Sequence, residues 1–251
     1  MNAASQNIKG GILRLEAPLK HDGPFWSFAD FDMAEYQQDI IRIEPAHPAD
    51  YCIFASTHKS KSNTPAFTAH TPGNWGSADL GGKPNTLNVA FASKVKVAAQ
   101  TLAKLAPKIG WEVEIEADHH GPTLENPLLF VEIGSTEKEW KNETAGEIAA
   151  RAILAAIRSD ATFPTYVGFG GTHYAPKFAP KIIGGDIALG HIISAYAIER
   201  DGVDEGRVKQ AMEKNVERIE CALIDWKGIK GETRKRLVET LDSLGIKWWK
   251  A

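Results

Sequence analysis

The chain is expected to fold as an α/β sandwich around a mixed, largely parallel sheet. Three observations carry this reading. Short runs rich in β-branched and aromatic residues alternate with longer runs at helical period. Two of the short runs, 51–55 and 128–131, are almost continuously apolar, as in strands covered on both faces. The length, 251 residues, suits one large domain of this class.

Eight strands are predicted in order: residues 12–15, 51–55, 87–91, 111–117, 128–133, 166–169, 219–224 and 246–249. In 111–116 the residues Trp-Glu-Val-Glu-Ile-Glu alternate, so one face is apolar and the other acidic. Across 93–109, Ala98, Leu102, Leu105 and Ile109 form a helical stripe, with Ser93 as N-cap and Gly110 as C-cap. Thr144 and Glu147 have capping-box spacing at the start of a helix running to Arg158. Residues 204–215 and 232–244 are two further helices, the last striped by Leu237, Leu241 and Leu244.

Composition excludes several classes. No run approaches the roughly 18 apolar residues of a membrane span. The first ten residues are polar and small, so a cytoplasmic protein without membrane partners is expected. Cys52 and Cys221 sit in apolar runs and read as small core side chains, with no CxxC metal spacing. The net charge of −3 argues against a protein that coats nucleic acid non-specifically. A local basic patch gripping one nucleic-acid end is compatible with it.

Three loops carry unusual chemistry: 55–76, 116–123 and 168–177. Each follows a predicted strand, where ligands collect in open α/β sheets. They hold five of the eight histidines: His58, His70, His119, His120 and His173; His21, His47 and His191 lie elsewhere. Glu116, Asp118 and Glu132 are the carboxylates nearby in sequence. A lone loop histidine is usually solvated or structural, and each carboxylate reads equally as a solvent-facing strand residue. The group is harder to explain that way. Imidazoles with a carboxylate are typical zinc ligands, and a zinc-bound water attacks esters at neutral pH. His58, His70, His119, His120, His173 and Glu132 are the candidate ligands, and His58, His119, His120 and His173 the candidate catalytic residues. A metal-free alternative has one histidine as general base, with the Gly170 and Gly171 amides holding an oxyanion. The adjacent His119-His120 pair matches no standard zinc spacing. No GxSxG elbow supports a serine nucleophile, and Gly168-Phe-Gly-Gly is neither GxGxxG nor a GK[ST] phosphate loop.

Basic residues cluster at Lys59 and Lys61, at Lys177 and Lys181, and at Lys227, Lys230, Arg234, Lys235 and Arg236. The first two groups flank the histidine loops. A phosphate backbone could lie along them; for the third group a solvated helix face is the plain reading.

These segments resemble the archaeal and plant D-aminoacyl-tRNA deacylase family. The resemblance rests on Ala55-Ser-x-His58, Thr68-x-His70, Gly73-Asn-Trp-Gly76, Glu116-Ala-x-His-His-Gly-Pro-Thr123, Glu132-Ile-Gly-Ser135, Gly170-Gly-x-His-Tyr-Ala-Pro-Lys177, Gly190-His191 and Asp225-Trp-Lys-Gly228. It spans about residue 50 to the C-terminus. It implies a hydrolase that releases D-amino acids from D-aminoacyl-tRNA in translation quality control, a zinc requirement, and a three-layer fold like phosphorylase and peptidyl-tRNA hydrolase. Lys59, Lys177, Gly170, Gly171, Thr123, Trp75 and Lys227 are then the expected substrate-binding residues. The chain is expected to form one domain over 1–251, as a monomer or homodimer. Residues 11–50 match the family poorly, so residues 1–50 are read as a divergent or shortened N-terminal part. A non-catalytic tRNA-end or nucleotide-binding protein would need the lysines and glycines, but not the clustered histidines. A phosphorylase would want an arginine pair near the glycine loop, and the sequence places none there.

Overall fold

The structure is a computed structural model that describes residues 2–36, 39, 43 and 49–251. His47 lies outside the described residues. The elements in chain order are α1 (Ala3–Leu15), β1 (Lys20–Asp22), β2 (Phe25–Ser27), β3 (Asp32–Ala34), β4 (Cys52–Thr57), β5 (Ala66–His70), β6 (Gly73–Asn74) and β7 (Thr86–Leu87), then α2 (Ala92–Leu105), β8 (Glu112–Ile115), β9 (Leu128–Gly134), α3 (Glu137–Trp140), α4 (Glu143–Arg158) and β10 (Thr165–Phe169). They end with α5 (Ala179–Ile183), β11 (Ala188–Ile193), α6 (Ala195–Asp201), α7 (Glu205–Glu213), β12 (Ile219–Ile224), α8 (Gly231–Ser243) and β13 (Trp248–Lys250). Among the described residues no helix is long and apolar enough to cross a membrane.

The α/β class holds, with strands in two principal sheets. The first has the order β4-β9-β5-β8; β4 runs parallel to β9, and β5 parallel to β8, but β5 and β9 are antiparallel. The second, β11-β10-β12-β13, is parallel throughout. Their junction is the chain just after β8. The Ala117 amide donates to the His173 carbonyl (2.7 Å) and the Asp118 amide to the Ile192 carbonyl (2.8 Å). The predicted strand 111–117 is therefore shared: β8 ends at Ile115, and the next residues bond to the second sheet.

Strand parity gives the first sheet two unlike faces. Ile53, Ala55, Phe67, Ala69, Val113, Ile115, Leu129, Val131 and Ile133 alternate onto one face and pack into a core with residues of α1, α2 and α4. Ser56, Thr68, Glu114 and Glu132 lie across from one another on the opposite face. A second core gathers Val167, Phe169, Ile224, Leu237 and Leu241 around the parallel sheet.

Several predicted elements change. Residues 12–15 are the last turn of α1, not a strand. The true period is four, with Ala4, Ile8 and Ile12 buried, and the Asn2 side chain caps the Ser5 amide at 2.8 Å. Gly11 lets α1 close on α4: a Cβ there would lie 2.8 Å from the Gly146 carbonyl and 2.9 Å from Ala150 Cβ. Of 87–91, only Leu87 belongs to a strand, with a lone bridge at Ala90. Strands β5 and β11 were not expected, because Ala-Phe-Thr-Ala-His and Ala-Leu-Gly-His-Ile-Ile carry small and polar residues where strand formers are sought. Ser93 lies inside the first turn of α2, whose Ala92 and Ser93 amides are accepted by the Glu217 carboxylate (3.1 and 2.7 Å). Asn142, not Thr144, caps α4; the capping box is Thr136 with Glu139 at α3.

Candidate metal and hydrolytic centre

The polar face of the first sheet is buried, and its focus is Glu116, 2% exposed. Oε1 meets His173 Nε2 at 2.7 Å and His58 Nδ1 at 3.2 Å, while Oε2 lies 3.3 Å from His70 Nδ1. Three histidines distant in sequence thus converge on one carboxylate. His119 and His120 complete the group. The His119 ring centroid lies 4.7 Å from that of His70, 4.2 Å from His120 and 4.5 Å from His173.

Each side chain has a local reason for its place. The backbone amide of His58 continues the β4–β9 ladder to the Ile133 carbonyl at 3.0 Å. The His70 ring is layered between Phe130 and His119. His120 holds φ +50°, in the left-handed region that costs a side chain of this size about 1–2 kcal/mol. His173 follows Gly170 and Gly171, at φ +102° and +80°. A Cβ on Gly170 would meet Ile229 Cγ1 at 2.7 Å, so glycine is needed where this loop crosses the second sheet's edge. The strand-end expectation holds for His173, after β10. It holds too for His58, directly after β4, and for His119 and His120, in the loop after β8, whereas His70 is the last residue of β5 itself. Because β4 and β5 run in opposite directions, His58 and His70 approach from opposite ends, and the centre lies on a sheet face.

The electrostatics divide the group. Burial disfavours the Glu116 anion, but hydrogen bonds from His173 and His58 outweigh it and hold this carboxyl well below the usual range. Burial, then the charge of Glu116, push Glu132 well above that range, so it keeps its proton. Thr68 Oγ1 bonds its Oε2 at 3.1 Å. Burial opposes a charge on His58, but the Glu116 bond and charge overcome it and raise its pKa. Geometry agrees. Tyr174 spends its hydroxyl proton on Ser60 Oγ (3.1 Å), so its oxygen accepts from His58 Nε2 (3.2 Å), and both His58 nitrogens donate. Burial drives His70 well below the ordinary imidazole range, lowers His120, and with the neighbouring His120 pushes His119 down to about 3.

Neutral imidazoles with open lone pairs are what a metal ion requires. Nδ1 of His119 bonds the Ala117 carbonyl at 2.9 Å, and Nδ1 of His120 the Gly121 carbonyl, leaving Nε2 of each for a ligand. Nε2 of His70 faces Nε2 of His120 at 3.2 Å. Nδ1 of His70 and Oε2 of Glu116 are buried without a hydrogen-bond partner among the described residues. Three triads have donor atoms within 4.8 Å of one another: His70, His119 and His120; Glu116, His119 and His173; and His58, Glu116 and Glu132. This set fits an N/O-seeking cation such as zinc.

All six candidate ligands therefore meet. Glu116, one of three carboxylates weighed from sequence, proves more central than Glu132. Tyr174 and Thr68 were missed; for Thr68 the available signal was period-two placement of polar residues in β5, while Ser56, considered from sequence only as a nucleophile near His58, bonds the Glu132 carboxyl instead. His191, set apart from the histidine loops, is buried and joins the centre from behind: Nδ1 lies 2.6 Å from Asp118 Oδ2, and Nε2 donates to the Lys214 carbonyl at 2.9 Å. Lys59, Lys177 and Lys227 are exposed. Thr123 accepts the Lys83 amide at 2.8 Å and pins that loop. Trp75 is 3% exposed in the second core, its indole N–H donated to the Gly202 carbonyl at 2.9 Å.

Comparison with known proteins agrees with the geometry. The family model described as D-aminoacyl-tRNA deacylase matches residues 46–249. The D-aminoacyl-tRNA deacylase of Pyrococcus furiosus is 41% identical over 86% of this chain and 79% of its own. That of Thermococcus kodakarensis is 41% identical over 99% of this chain and 96% of its own. The crystal structure of a conserved protein of unknown function, AF0625, superposes with a TM-score of 0.90 at 32% identity, covering 99% of this chain and 92% of the other. This chain belongs to the D-aminoacyl-tRNA deacylase family.

Proposed function

We propose that this protein hydrolyses the ester between a D-amino acid and the terminal ribose of tRNA, with zinc held by His70, His119 and His120. The observation that carries the reading is the convergence of five imidazoles and two carboxylates in one buried centre, in a member of this family. Bound zinc supplies a water of lowered pKa and polarises the ester carbonyl. The chain supplies the proton handling. Glu116 accepts the Nε2 proton of His173, which fixes the tautomer and leaves Nδ1 a lone pair to take a proton from the attacking water. His58, donating at both nitrogens, carries the proton that the departing ribose oxygen needs. Water oxygen bonds to the carbonyl carbon, the carbon–ribose oxygen bond breaks, and free D-amino acid and tRNA leave. The protonated Glu132 keeps a second anion from competing for the His58 proton.

The test is incubation of the purified protein with D-tyrosyl-tRNA and L-tyrosyl-tRNA, with and without chelator, alongside elemental analysis for zinc. Release of D-tyrosine alone, lost with chelator and restored by zinc, is expected. Binding of the tRNA without release would replace the enzyme reading by a non-catalytic one.

A further inference from the structure

The parallel sheet has one feature that the hydrolytic centre does not use. Ile193, Phe169, Ile224 and Lys250 share a register row, so the carboxyl ends of β11, β10, β12 and β13 line one edge. His173 follows β10 at that edge. The loop after β12, Asp225 to Lys230, packs on the glycines before His173. Ile229 covers Gly170, and a Cβ on Gly228 would lie 2.8 Å from the Gly171 amide.

The C-terminal segment that starts at this edge is cationic in an otherwise acidic chain. Residues 226–251 hold seven lysines and arginines against three acidic residues, a net +4, while the whole chain carries −3. Lys230, Lys235 and Arg236 are paired with Glu199, Glu239 and Glu232. Lys227 and Lys250 are exposed and form no ion pair among the described residues. Trp226 anchors the cations. Lys250 Nζ sits 4.0 Å and the Arg234 guanidinium 4.4 Å from its ring centroid, and Trp248 stacks at 5.8 Å. Arg234 is further fixed through Nη1 to the Trp226 and Ile229 carbonyls. Cations held by an aromatic ring and by backbone lose little freedom when they bind an anion.

We infer that Arg234 and Lys250, held over the Trp226 ring, together with the exposed Lys227 next to Trp226 in the chain, form a clamp for the phosphodiester backbone of the single-stranded 3′ end of the nucleic-acid substrate. The inference rests on the proposed function and adds the path along which the substrate enters. Strands spaced about 4.8 Å apart place the β13 end roughly 10 Å from the β10 end, a span of a few nucleotides. Phosphate recognition here also explains how a chain of net negative charge grips RNA.

The probe is a deacylated acceptor-stem hairpin RNA ending in single-stranded CCA, with its Kd measured from 50 to 300 mM salt. The pair K227E/K250E should weaken binding at least tenfold at 100 mM salt and lower the slope of log K against log salt by roughly 1.4, about 0.7 per single-strand phosphate contact. The charge-matched pair K104E/K108E, on another layer, should change neither. Circular dichroism and melting confirm that both variants fold. If the unmodified protein fails to bind the hairpin, or K227E/K250E matches it in Kd and slope, the clamp is refuted. If the hairpin binds as described but D-aminoacyl-tRNA is not cleaved, the hydrolytic reading fails and the clamp stands.

Discussion

Replacing Glu116 by Gln tests the centre where it is most exposed to refutation. The side chain keeps its size, so packing is nearly unchanged, but one oxygen becomes N–H and the anion is lost. Two unit charges about 4 Å apart interact by about 4 kcal/mol at an effective dielectric of 20. The His58–Glu116 contact is 3.2 Å and buried. Losing it removes the bond and charge that raise the His58 pKa, while burial still opposes a charge there, so the neutral imidazole becomes favoured. Loss of an acid group costs about 10²- to 10⁴-fold in rate. The amide also sets an N–H against the imidazoles that Glu116 orients, and losing such a partner lowers metal affinity about 10- to 100-fold. Glu116→Gln should thus lower kcat/KM for D-tyrosyl-tRNA by at least about 10³, with substoichiometric zinc at limiting metal. The melting temperature should move little, because the cost of burying the carboxylate disappears with its bonds. Steady-state kinetics on zinc-saturated enzyme, elemental analysis and thermal melts read these separately. A variant with full zinc and kcat/KM within about threefold would refute the idea that this carboxylate organises the site.

Glu132→Gln should stabilise the chelator-treated protein at pH 8 and leave it unchanged at pH 4. The folded Glu132 binds its proton more tightly than the unfolded one, so its contribution costs stability as pH rises above about 4.5 toward its raised folded value. Melts at the two pH values should differ by a few degrees; equal shifts at both would contradict a protonated Glu132. His191→Ala should leave the buried Asp118 carboxylate without the imidazole that meets its Oδ2 at 2.6 Å, at a cost of about 3–5 kcal/mol. That corresponds to a fall of roughly 10 °C in melting temperature at about 2–4 °C per kcal/mol. Because Asp118 adjoins His119, zinc affinity should fall as well. Unchanged melting and zinc affinity would return His191 to the role of an inert core residue.

Local chemistry in the sequence was enough for the class of fold and the cast of the site. Short apolar runs and helical stripes located β4, β9, β10, β12, α7 and α8 to within a few residues. Histidines beside glycine and proline turns marked the three loops that do meet. These signals are local, because alternation, capping and turn chemistry act over a few neighbouring residues. They failed where neighbours mislead. The strand β5 was overlooked because Ala66, Ala69 and His70 dilute its strand signature, and His70 is at the same time its contribution to the site.

Tertiary register decided the rest. Glu112, Glu114 and Glu116 stand at identical positions in one alternating pattern, yet they are exposed, half-buried and buried in turn. The third lies where the His173 loop closes over the sheet. Its place at the head of a histidine loop marks it in the sequence, but the alternation itself does not show that it alone is fully buried. Coverage by a distant segment sets its dielectric surroundings and its partners, and these turn an ordinary carboxylate into the centre of five histidines. His191 likewise takes its role from Asp118, 73 residues away in sequence. Identity and approximate location follow from the order of residues. Which polar groups lose water together, and so acquire strong interactions, follows only from how the two sheets meet.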